Sequence, residues 1–176
     1  MDKMKRLGLV ILIVSLGLGV LWLKREKSLM QLTSVFSNNQ AIPSKFTCDG
    51  ENVNPKLNIS GIPTETKSLS LIVDDPDAPS GDFVHWVIWN IGAETTQIKE
   101  NTNPAGAVVG KNDFGNNGYG RPCPPSGTHR YQFKVYALDK KLDLPAVSGK
   151  KELLAVMNGH ILDQAQLTGI YGRIKI

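Results

Sequence analysis

One stretch restricts the fold more than any other: YGRPCPPSGTHRY, Tyr119 to Tyr131. Pro122, Pro124 and Pro125 hold φ and remove backbone donors, while Gly120 and Gly127 let the chain turn or approach another group closely. Neither a helix nor a central strand accommodates that combination. The stretch reads as a rigid loop that ends at His129 and feeds a strand, RYQFKVYAL. Upstream, DDPDAPSGDFVHW, from Asp74 to Trp86, likewise delivers His85 near the start of a strand. The expectation is that the two loops face one another and build a small polar pocket.

The rest of the chain frames these loops. In KSLSLIVDD, Leu69, Leu71 and Val73 alternate with Ser68, Ser70 and Ile72, a strand pattern. FVHWVIWNI is apolar at nearly every position, which suits a strand covered on both faces. YQFKVYAL alternates Tyr131, Phe133, Val135 and Ala137 with Gln132, Lys134 and Tyr136 and reads as a half-exposed antiparallel strand. Residues 92–118 are polar and rich in Gly and Asn, a long loop of the kind that is usually functional or poorly ordered. A helix is expected from Ser148 to Leu167, capped by Ser148, with Leu153, Leu154, Met157, Ile161 and Gln164 on one face. GIYGRIKI reads as a last strand. Many short strands and one late helix predict a mostly β fold, an antiparallel sandwich with a C-terminal helix.

Charge is informative only through its placement. Residues 1–28 carry six basic and two acidic side chains, which accounts for the whole formal net charge of +4. The remaining 29–176, expected to be the single folded domain, are neutral and make a poor nucleic-acid binder. Leu7 to Leu23 is an uncharged apolar run of seventeen residues with basic flanks and Trp22 near its end. As a helix it would span roughly 25 Å at 1.5 Å per residue. It is read as an uncleaved transmembrane signal-anchor, in preference to a cleaved signal peptide, with the C-terminal domain exported to a periplasmic or extracellular location.

Asp74, Asp75 and Asp77 crowd one turn. They either satisfy local N–H groups or point one carboxylate inward, and repulsion among them should leave at least one solvated. His85, His129, a carboxylate, a tyrosine hydroxyl and loop N–H groups together suit a phosphate-sized anion. His160 is assigned to helix packing or solvent. No CxxC, HxxxH, G-x-S-x-G, G-x-G-x-x-G or P-loop pattern occurs, so no metal, cofactor or catalytic nucleophile is expected, and the chain is read as a binding protein rather than an enzyme. Cys48 and Cys123 stand in turn-rich loops. They either pair, if the domain is exported, or remain two thiols with one lining the pocket.

DPDAPSGDFVHWVIWNI, followed by YGRPCPPSGTHRYQFKVYALD, resembles the phosphatidylethanolamine-binding protein family. The resemblance is to its bacterial and archaeal, Raf-kinase-inhibitor-like branch. LTSVFSNNQAIPSKFTCDGENVNP and the ending NGHILDQAQLTGIYGRI extend the match to about residues 30–176. The resemblance implies a β-sandwich with an anion pocket at one end. Matched position by position, that pocket would use Asp75, His85, Cys123 through its backbone N–H, Pro124, His129 and Tyr131. Asp77 and Arg121 are candidate rim residues, Arg121 replacing a glycine usual in the family, and Asn54-Pro55 and Ile59 also depart from its pattern.

The expected function is therefore binding of phosphate or a phosphorylated, phospholipid-head-group-like ligand by a membrane-anchored protein. Asp75 would hold His85 in its donor tautomer. The alternative is a regulator whose pocket rim contacts a protein partner, such as a kinase or protease. A weak acid–base hydrolase ranks last.

Overall fold

Every residue from Ser68 to Asp75 is buried, and this strand is the axis of the domain. The computed structural model describes residues 29–173. Within them β1 (Gln31–Ser34), β3 (Leu57–Ser60) and β6 (Gln97–Ile98) form a small antiparallel sheet in the order β1-β3-β6. The larger sheet has six strands. From one edge they are β2 (Gln40–Ala41), β9 (Ile161–Gly172), β8 (Thr128–Leu138), β4 (Ser68–Asp75), β5 (Phe83–Gly92) and β7 (Val108–Val109). All its pairings are antiparallel except β2 with β9.

Two apolar layers cover this large sheet, which is why β4 and β5 read as continuous apolar runs. On the side of the small sheet, Leu69, Leu71 and Val73 pack with Trp86, Ile88, Phe133, Val135 and the residues of β1 and β3. On the other side, Ile72, Val87, Trp89 and Leu138 pack against Leu153 and Met157 of the α-helix α1 (Lys150–Met157). Side chains in a strand alternate between faces, so the two cores share the same strands.

Two expectations are corrected. The helix predicted from Ser148 to Leu167 runs only from Lys150 to Met157. Its N-cap is Gly149, whose N–H is accepted by the Glu152 carboxylate at 3.0 Å. Gly159, at φ +79°, turns the chain out of the helix, and Ile161 onward pairs with the full length of β8. The open edge of β8 offered that segment a ladder of backbone hydrogen bonds, and tertiary pairing outweighed local helical pattern. The fold expectation also included a transmembrane helix over Leu7 to Leu23. That segment lies outside the described residues, and among those described no helix is long and apolar enough to cross a membrane. Among the described residues the fold is therefore a mostly β sandwich with one short α-helix near the C-terminal end, and none of their helices spans a membrane.

Candidate functional site

The acidic cluster is resolved by strand alternation. Asp74 points to the helix side of β4, where it is fully buried and accepts from Lys134 Nζ at 2.8 Å and Lys150 Nζ at 2.6 Å. Lys150 also meets Asp82. Asp75 points to the opposite face, and its Oδ2 accepts from His129 Nδ1 at 2.7 Å. Its Oδ1 accepts from the Asp77 N–H at 2.9 Å, closing the turn. Asp77 leans outward and takes Arg130, accepting from Nε at 2.8 Å, Nη2 at 2.6 Å and the backbone N–H at 2.9 Å. These hydrogen bonds lower the Asp77 pKa to about 2. Each carboxylate has its own basic partner, so repulsion is relieved by separation, and only Asp77 and Asp82 keep substantial solvent contact.

A cleft of about 310 Å³ opens on the Asp75 side, lined by Asp75, Ala78, Pro79, Ser80, Phe83, His85, Phe114, Cys123, Pro124, Pro125, His129 and Tyr131. All six residues expected to form the pocket lie in it. Their convergence follows from register. His129 and Tyr131 are two apart on β8 and share one face, beside Asp75 on β4. His85 arrives through a bulge: Val73 pairs with Trp86 and Asp74 with Val84, leaving His85 as the extra residue of β5. A bulge re-aims side chains, and here it brings the imidazole beside the Tyr131 ring, with centroids 5.2 Å apart.

Asp75 does not orient His85, and that expectation is corrected. The carboxylate serves His129, while His85 Nδ1 lies 2.8 Å from the carbonyl of Gly120. Gly120 grips His85 twice, since its N–H also donates to the His85 carbonyl at 2.7 Å. Burial lowers the His85 pKa, against the opposing pull of the Gly120 carbonyl and of Asp75. Burial, and then Asp75, push the Tyr131 hydroxyl well above its ordinary value. The Asp75 carboxylate and the Cys123 backbone lie near enough to act on that hydroxyl as hydrogen-bonding neighbours, yet neither makes a well-formed hydrogen bond to it, and the Tyr131 oxygen is buried without such a partner.

The loop walls are tied from behind. Cys48 and Cys123 form a disulfide, the Cys48 N–H donates to the Pro122 carbonyl at 3.1 Å, and the Tyr119 hydroxyl donates to the Phe46 carbonyl at 3.0 Å. Asp77 does not line the cleft, and its role is the clasp to Arg130. Arg121 is exposed and lines a separate recess of about 170 Å³ with Tyr119, Gly120 and Phe114. His160 lies away from the cleft, with Nδ1 2.9 Å from Asp139.

Phe83 and Phe114 were missed in the sequence. Their rings meet edge to face at 4.9 Å and both flank His85. Phe114 is the one aromatic between Gly92 and Gly118, a lone apolar ring in a polar loop, and that contrast was the available signal. The loop is ordered by Asn112, whose Oδ1 accepts from the Phe114 and Asn116 N–H groups at 3.0 Å and whose Nδ2 donates to the Gly118 carbonyl at 2.9 Å. Nothing in the residue type of Asn112 announces that role.

Comparison with known proteins agrees with this arrangement. The family model described as phosphatidylethanolamine-binding protein matches residues 32–172. A UPF0098 protein of Methanothermobacter thermautotrophicus is 51% identical over 80% of this chain and 97% of its own length. A second, from Pyrococcus horikoshii, is 45% identical over 92% of this chain and 85% of its own. The crystal structure of a phosphatidylethanolamine-binding protein homolog from Chlamydia trachomatis superposes with a TM-score of 0.80 at 41% identity, covering 84% of this chain and 99% of that one. Escherichia coli YbcL, described as a member of the mammalian family, superposes with a TM-score of 0.77 at 34% identity, covering 82% and 99%. With fold and sequence in agreement, this chain belongs to the phosphatidylethanolamine-binding protein family.

Proposed function

We propose that this protein binds a small oxyanion, phosphate or the phosphate of a phosphorylated head group, in the cleft between the two loops. The observation that carries the reading is the Tyr131 hydroxyl, buried without a partner in the same cleft as His85 and His129. A buried polar group left unpaired costs about 1–3 kcal/mol, and such groups persist where a ligand supplies the missing bond. Both imidazoles commit Nδ1 to a protein oxygen, so each leaves Nε2 for a ligand. The proline, alanine and phenylalanine side chains of the cleft wall lower the local dielectric and strengthen charge–dipole contacts beside them.

NMR titration with inorganic phosphate, and then with the phosphomonoester phosphoethanolamine, tests this by following the imidazole signals of the three histidines. His85 and His129 are expected to shift saturably while His160 stays in place. No shift up to millimolar ligand would remove the reading.

Phe114, 45% exposed at the rim, favours a second reading in which a protein partner docks over the cleft. Competition between phosphate and that partner would reveal it. A location in an oxidising compartment fits the Cys48–Cys123 disulfide, and thiol trapping in separated cell fractions checks it.

A further inference from the structure

The two histidines of the cleft are not equivalent. His129 directs Nδ1 at a carboxylate, so a charged ring there is one half of an ion pair. His85 directs Nδ1 at the Gly120 carbonyl, a group that can only accept. Nδ1 of His85 therefore carries the proton, and in the neutral ring Nε2 is a lone pair. The groups around that ring are Phe83 of its own strand, Phe114 from the preceding-loop wall and Tyr131 of β8. Asp75 and Asp74 on β4 and Asp113 in the Phe114 loop act on it only at a distance, and burial outweighs them. Charging His85 would place an imidazolium among aromatic rings with no counter-charge in contact.

We propose that the cleft selects oxyanions that still carry a proton, because His85 Nε2 acts as a hydrogen-bond acceptor. The inference rests on the anion reading above and sharpens it. Hydrogen phosphate and the monoanion of a phosphomonoester present both kinds of group. Their P–OH donates to His85 Nε2, while a remaining oxygen accepts from the Tyr131 hydroxyl. Sulfate and phosphodiesters hold only acceptors and face the His85 lone pair with another lone pair. A site built around a donor–acceptor match rejects the analogue lacking the donor, because a buried group is then left unpaired. Intact phospholipid head groups, being diesters, fall on the rejected side, and phosphomonoesters or free phosphate on the accepted side.

Calorimetric titration of the full chain at pH 7.5 with inorganic phosphate, sulfate and dimethyl phosphate tests the proposal. Phosphate and sulfate have the same shape and similar charge at that pH, so the proton is the main difference. Phosphate is expected to bind at least tenfold more tightly than either of the others. In His85→Gln, whose amide can turn its NH₂ toward the ligand, the phosphate-to-sulfate ratio should fall toward one. Equal phosphate and sulfate affinity in the wild type at pH 7.5 would overturn the proposal while leaving the anion reading intact. So would an unchanged phosphate-to-sulfate ratio in His85→Gln. Failure of all three anions to bind would overturn the anion reading and this inference with it.

Discussion

Removing one oxygen from Tyr131 should move stability and binding in opposite directions. The ring of Tyr131 is fully buried, and its hydroxyl has no partner in the protein. Folding therefore strips that hydroxyl of water without return, at a cost of about 1–3 kcal/mol. Tyr131→Phe keeps the ring, its edge-on contact with His85 at 5.2 Å and its place in the core. The variant should be more stable by about 1 kcal/mol, since part of the cost is relieved by local relaxation. An anion in the cleft, by contrast, loses one charge-assisted hydrogen bond worth about 1.5–3 kcal/mol, or roughly tenfold to a hundredfold in affinity. Urea unfolding at pH 7 measures the first effect and phosphate titration the second. Destabilisation of about 1 kcal/mol or more would show that Asp75 or the Cys123 N–H already satisfies the hydroxyl. Unchanged phosphate affinity would show that Tyr131 is core packing and no part of a binding site.

The disulfide offers a second test, because Cys48 and Cys123 are 75 positions apart. Chain entropy alone assigns such a closed loop about 4.5 kcal/mol. Cys48→Ser combined with Cys123→Ser should lose about 2–4 kcal/mol in urea unfolding, and a loss below about 1 kcal/mol would refute the entropy argument. Gly50→Ala should cost about 2 kcal/mol or more by overpacking, because a Cβ there would sit 2.2 Å from the Ser44 carbonyl oxygen and 2.6 Å from Lys45 Cα. These are backbone atoms with no rotamer to escape into; a thermal midpoint equal to the wild type would contradict the close approach. His85 has a folded pKa below its ordinary value, so on acidification the unfolded state takes up its proton first, near pH 6.5. Stability is complete above that pH and falls as pH drops from about 6.5 toward the lower folded value. The difference in unfolding free energy between wild type and His85→Gln, followed from pH 7.5 to 5, should show that slope, and a pH-independent difference would argue against a neutral buried ring.

Local chemistry determined what was legible in the sequence. The proline-rich loop, the strands around β4, β5 and β8 and the pairing of His129 with Tyr131 on one face follow from φ restriction and a side-chain period of two, both properties of the chain itself. The resemblance carried by DPDAPSGDFVHW and YGRPCPPSGTHRY supplied the six cleft residues. Other features depended on groups distant in sequence. Asp75 chose His129, 54 positions away, over His85 because a bulge turned His85 toward Gly120 instead. Residues Ile161–Gly172 became a strand because β8 presented a free edge, although their apolar spacing also fits a helix. The three crowded aspartates were separated by the two faces of one strand and by the turn beyond it, and Lys134, Lys150, His129 and Arg130 were already in place to receive them. Periodicity is written in the order of residues, whereas the partner of a buried charge is chosen by desolvation. Desolvation exists only once distant strands have closed the core around that charge.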